Sequence, residues 1–114
     1  NTSAQKSNTE KILGCWTFKE IQFSEKVNFE GQIIKWYKNN VLCFNSDGEC
    51  TSTNNENKSK PFEGSYKISE DEKTLTQKWK ESNNSEEENS EIKFLDNKLL
   101  VFKVEFGTMT YKRK

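Results

Sequence analysis

Past its first ten or so residues the chain is a succession of short apolar runs broken by polar turn signals. That rhythm predicts antiparallel strands joined by hairpins, not strands alternating with helices. Residues 12–23 (ILGCWTFKEIQF) open the series. In an extended strand Trp16, Phe18 and Glu20 share one face, and Thr17, Lys19, Ile21 and Phe23 the other. The apolar parity switches between Phe18 and Ile21, which predicts a bulge or bend there.

Residues 32–37 (QIIKWY) fit either a strand or one helical turn, and a strand is the favoured reading. Residues 41–45 and 49–53 form a hairpin whose connection, Asn45-Ser46-Asp47-Gly48, ends in Asp-Gly. This suits a type I turn with Gly48 left-handed and a bulge after it. Leu42, Phe44, Cys50 and Ser52 then lie on the inner face. Residues 63–69, 74–80, 91–95, 99–106 and 108–112 continue the pattern, with Tyr66 and Ile68 inward, then Leu75, Gln77 and Trp79, then Leu100, Phe102, Val104 and Phe106 on one face. Leaving 32–37 aside, eight sequential strands predict an all-β fold, a single up-and-down antiparallel barrel. Residues 1–10 read as a flexible polar leader and 11–114 as the barrel domain. Residues 54–60 (NNENKSK) and 81–90 (ESNNSEEENS) read as solvated loops, and the carboxylate spacing of the second matches no calcium loop.

Composition narrows the function. Of 114 residues, 31% are hydrophobic and 32% charged, too few apolar groups for a thick core. Aromatics supply 12%, including Trp16, Trp36, Trp79 and eight Phe, so a thin aromatic core is expected. Lys plus Arg and Asp plus Glu are both 18. With no basic excess to meet phosphates, nucleic acid is not expected as a partner. No apolar run approaches the roughly 20 residues of a membrane helix. The polar leader would suit the tether that follows a lipidated N-terminal Cys, so membrane association is expected only through such an anchor. The chain has no His, which removes Ser–His and Cys–His pairs and imidazole metal sites. The carboxylates fall mostly in turns and in the acidic loop. No enzyme activity, metal or cofactor is expected.

Several phrases resemble the lipocalin-like domain of bacterial cell-envelope lipoproteins. Leu13-Gly14-Cys15-Trp16 is similar to the Gly-x-Trp signature that opens the first lipocalin strand, and Arg113 matches the Arg that stacks across that Trp. Phe44 to Gly48 resembles the family's "F-x-x-D-G" hairpin. Gly64 to Ile68 with Lys73 to Thr76 resembles its "G-x-Y-x-I … K-T-L-T" pair, and Asp96-Asn97-Lys98-Leu99 its "D-N-x-L" turn. The resemblance spans about residues 11–113. Cys15 and Cys50 depart from it, as does the long link 24–40. It implies a lipocalin-like barrel closed by Gly14, Trp16 and Arg113, a location outside the cytoplasm (secreted, periplasmic or anchored in the envelope), and a small apolar ligand inside.

An eight-stranded barrel is either just filled or holds one small ligand. The inward set is Trp16, Phe18, Leu42, Phe44, Tyr66, Ile68, Leu75, Trp79, Phe94, Leu100, Phe102, Val104 and Tyr111. It either fills the core or lines a pocket. In the second case Trp16, Phe18, Phe44, Tyr66, Gln77, Trp79, Phe102 and Tyr111 are the ligand-binding candidates, with Gln77 and Glu20 as orienting polar groups. Trp36 and Tyr37 either lid the open end or pack outside. With a filled barrel, the outer face or the 24–40 link would serve a protein or glycan partner. Cys15 and Cys43 both face outward where the first strand starts and the second ends, so they are the candidate disulfide, against three unpaired thiols. Cys50 faces inward. A monomer is expected.

Overall fold

The computed structural model describes residues 7–24, 28–54, 58–80 and 87–114. Eight strands, β1 (Gly14–Phe23), β2 (Val41–Phe44), β3 (Glu49–Thr53), β4 (Phe62–Ile68), β5 (Thr74–Trp79), β6 (Glu87–Leu95), β7 (Leu99–Val104) and β8 (Gly107–Arg113), form a closed antiparallel barrel in sequential order. Closure comes from β1 pairing with both β2 and β8. A one-turn helix α1 (Asn8–Lys11) precedes β1, and α2 (Glu30–Tyr37) lies between β1 and β2. The last residues of the expected leader are thus helical: Ser7 caps the turn, and Asn8 is tied to Glu72 through its amide N–H (2.6 Å, to the carboxylate) and its side chain (2.8 Å, to the backbone carbonyl). Residues 1–6 of that leader lie outside the described residues, as do 55–57 of the first expected loop and 81–86 of the second.

One end of the barrel carries the turns at 45–48, 69–73 and 96–98. Each holds an Asp whose carboxylate accepts the backbone N–H two residues on, from Glu49 to Asp47 (2.9 Å), Lys73 to Asp71 (3.1 Å) and Lys98 to Asp96 (2.8 Å). Aspartate favours turns for this reason. Gly48 has φ +88°, the left-handed conformation its turn needs, and Phe44 pairs with Cys50 across it. This end is sealed by α1 and Trp16. Ile12 and Trp16 are both fully buried, and the indole N–H donates to the Ile12 carbonyl at 2.8 Å.

Two bulges set which side chains face inward. In β1 the pairing skips a residue between Phe18 and Glu20, so Phe18 opposes Tyr111 and Ile21 opposes Met109. The expected bulge is present. It turns Glu20 outward, where the sequence parity had placed it inward, and Glu20 is exposed. A second bulge, between Ile92 and Phe94 in β6, keeps Ile92 and Leu95 inward and turns out Phe94, which is 49% exposed. Phe94 therefore leaves the core that period-two alternation assigned it. β6 also begins at Glu87, so the end of the expected acidic loop is strand.

Residues 32–37 are helical, not extended. β2 is short and meets β1 only along Gly14–Thr17, and the Phe18 N–H already donates to the Asn40 carbonyl at 2.9 Å. A helix satisfies its own backbone groups where no neighbouring strand is available to pair with. Its four-residue spacing turns the half-buried Ile33 and Tyr37 to one side. Tyr37 meets Phe18, with ring centroids 5.8 Å apart.

Candidate functional site

The interior divides at mid-height. Near the closed end Trp16, Phe44, Cys50, Leu75 and Leu100 are at most 1% exposed and belong to one buried cluster. Towards the open end a cavity of about 320 Å³ remains. Strand alternation builds its wall. Leu42 on β2, Ser52 on β3, Gln77 and Trp79 on β5, Glu88 and Ser90 on β6, Phe102 and Val104 on β7, and Met109 and Tyr111 on β8 all line it, mostly as i, i+2 pairs. Phe62 adds one edge, and Trp36 and Tyr37 of α2 line the open end. These two rings meet edge to face at 4.7 Å. Trp36 and Tyr37 combine the two placements: both line the cavity and both also border the groove outside it, with Trp36 40% exposed.

A neutral polar network forms the floor. The Tyr111 hydroxyl donates to Asn40 Oδ1 at 2.6 Å, and Asn40 Nδ2 donates to Ser52 Oγ and to the Thr53 carbonyl, each at 3.0 Å. Phe102 stacks on the Tyr111 ring at 5.6 Å. Gln77 Nε2 points at the Cys50 sulfur at 3.9 Å, a weak contact for an amide donor. Burial pushes the Tyr111 phenol well above its ordinary pKa, so it stays a proton donor. Burial also raises Tyr37, with the Glu88 carboxylate adding to the shift. The Cys50 thiol is pushed up to about 11, chiefly by burial, against a lowering contribution from Gln77. A thiol so placed is a poor nucleophile at neutral pH.

The structure brings four of the eight ligand-binding candidates to the cavity: Gln77, Trp79, Phe102 and Tyr111. The other four lie elsewhere. Trp16 and Phe44 fill the closed half. Tyr66 stands edge-on to Phe44 at 5.0 Å and donates to the Asn45 carbonyl at 2.7 Å, which fixes the hairpin. Phe18 lies behind the lining, in contact with Tyr37 and Tyr111. Glu20 takes no part. Asn40, Ser90 and Glu88 were missed. Ser90 and Glu88 sit in a stretch that reads as loop, and Asn40 in an unpatterned Asn-Asn step. Met109 was also missed, although its parity with Tyr111 offered a signal.

The barrel-closure residues meet as the resemblance implied. The Arg113 guanidinium lies 4.1 Å from the Trp16 ring centroid. It donates to the carbonyls of Lys11 (2.7 Å), Leu13 and Asn97 (3.1 Å). One side chain thus ties α1 and the 96–98 turn to the last strand. Cys15 and Cys43 are directly opposed across β1 and β2 and form a disulfide; Cys50 is a buried free thiol.

A closed eight-stranded up-and-down barrel with a part-filled interior and a helix at its open end is the class of protein that this fold and site define. Compared with protein-family models, curated proteins and solved structures, the chain matches none.

Proposed function

We propose that this is a non-catalytic binding protein of the bacterial cell envelope that holds a small apolar ligand in the open half of its barrel. One observation carries the reading: the cavity of about 320 Å³, walled by aromatic and aliphatic side chains above a satisfied polar floor. Ligand sites are commonly apolar concavities of 300 Å³ or more with a few fixed polar groups. At about 30 Å³ per water molecule the space equals about ten waters, room for one or two rings. The Cys15–Cys43 disulfide supports an oxidising compartment. The absence of His from the chain and the protonated state of Cys50 support a role without chemistry.

The test is a titration with the neutral two-ring dye prodan (6-propionyl-2-dimethylaminonaphthalene). Trp36 and Trp79 line the cavity while Trp16 is sealed below it, so a bound dye quenches two of three indoles. Saturable quenching that weakens in Trp79→Phe is expected. A flat titration over this and other neutral one- and two-ring probes would overturn the reading.

A second reading rests on a different surface. Phe29 and Ile34 are 61% and 45% exposed on α2, and a shallow groove of about 470 Å³ runs between the helix and Phe106. Such a surface would serve a protein or glycan partner through the 24–40 segment. Retained ligand binding in Phe29→Ala, with partner binding lost, would separate the two roles.

A further inference from the structure

We infer that the ligand taken by this cavity is a small aromatic or aliphatic monocation, an amine or quaternary ammonium whose charge sits between the aromatic rings of the open end and Glu88. The inference rests on the reading of the cavity as a ligand site and names the chemical class that site selects.

Charge decides the class. Among the described residues, Glu88 is the one ionised side chain in the lining, and no Lys or Arg contributes to it. Glu88 opposes Gln77 in the β5–β6 register and lies on the same face of the sheet, with its exposed carboxylate at the rim of the cavity. Among the described residues it makes no salt bridge. Burial is the main cause that raises the Tyr37 and Cys50 pKa values, and the Glu88 carboxylate adds to both shifts.

The aromatic groups point the same way. Trp36, Tyr37 and Trp79 line the same open half as Glu88. Aromatic faces carry negative potential and attract ammonium groups, which aromatic cages recognise. An anionic head group finds the opposite conditions. No cation lines the wall, and the strongest donor in the floor, the Tyr111 hydroxyl, is already spent on Asn40. Burying a carboxylate there without a partner is costly. A cationic head at the mouth keeps part of its hydration and its counter-charge, while the apolar body occupies the space above Phe102 and Tyr111.

The test compares three ligands of matched body by isothermal titration calorimetry on the full chain: phenylpropylamine, phenylpropanol and phenylpropanoate. The amine is expected to bind at least tenfold more tightly than the alcohol, with the carboxylate weakest. In Glu88→Gln the ratio of amine to alcohol is expected to fall towards one. Alcohol or carboxylate binding as tight as the amine overturns the charge inference and leaves the cavity reading standing. An amine preference that survives Glu88→Gln overturns the assignment to Glu88. Failure of all three ligands and of prodan overturns the cavity reading itself.

Discussion

The phenol of Tyr111 and the side-chain amide of Asn40, 71 residues apart, share a 2.6 Å hydrogen bond in which neither group is more than 1% exposed. Asn40 ends the link that carries α2, and Tyr111 sits on the closing strand. The bond therefore fastens that link to the wall. In Tyr111→Phe the ring is kept and Asn40 Oδ1 loses its donor. An orphaned buried acceptor costs about 1–3 kcal/mol, and chemical denaturation is expected to report a loss in that range. The same residue sets an alkaline limit. Its pKa is raised in the folded state, so the stability it contributes is complete below the unfolded value of about 10 and is lost as pH rises through the folded one. Wild-type stability should fall above about pH 10, and less steeply in Tyr111→Phe. An identical alkaline slope in the two proteins would exclude Tyr111 as the titrating group.

Much of the barrel is legible in the sequence, because alternation and Asp-centred turns are local signals. The lipocalin resemblance of Trp16 and Arg113 points to the strands that close it, and the outward parity of Cys15 and Cys43 makes their bridge a candidate against three unpaired thiols. What was not legible is decided by long-range pairing. Phe94 and Glu20 follow period-two alternation in sequence, but each lies beside a bulge that costs one residue of register. The helix at 30–37 forms because the short β2 leaves no continuous ladder for it to join. The cavity is the difference between a filled half and an unfilled one. Single-residue parity, which places Phe44 and Phe102 alike as inward, carries no information on height along the barrel.

Arg113 is expected to resist replacement by Lys. Its planar fork reaches three carbonyls while its face covers Trp16, and a Lys ammonium retains the charge but not that geometry. Arg113→Lys should lose about 2 kcal/mol of stability, on the scale of hydrogen bonds to charged groups. Gly14 depends on the same side chain. Its φ is +111°, and a Cβ there would stand 2.7 Å from Arg113 Nη1. Gly14→Ala is therefore expected to match or exceed the Lys variant in denaturant sensitivity. Wild-type midpoints in either variant would show that the clasp contributes nothing.

The disulfide makes a separate prediction. It closes a loop with a sequence separation of 28, for which loop-closure entropy corresponds to about 3–4 kcal/mol. Reduction, or the double replacement of Cys15 and Cys43 by Ser, should lower Tm by more than about 10 °C. Intact mass should rise by two hydrogens on reduction. Alkylation of the unfolded, unreduced chain should add a single label, at Cys50, and the native chain should resist labelling because that thiol is buried and pushed up to about 11. Three labels without reductant would rule the bridge out.

Acid sensitivity should trace to the closed-end turns. The N–H groups of Leu99 and Lys98 hold the Asp96 carboxyl below its ordinary pKa, and the Ser69 hydroxyl with the Lys73 N–H does the same for Asp71. Since the folded values lie below the unfolded one of about 3.9, the stabilisation is complete above that pH and is lost as pH falls through the folded values. Asp96→Ala removes the acceptor, so its Tm should lie below wild type at neutral pH. The gap should narrow below about pH 4, where the wild-type carboxylate also becomes protonated and gives up the two N–H groups. Thermal melts from neutral pH down to about pH 2.5 measure this directly. A gap that stays constant over the whole range would mean that the turn is held by its backbone alone and that the Asp96 charge has no part in it.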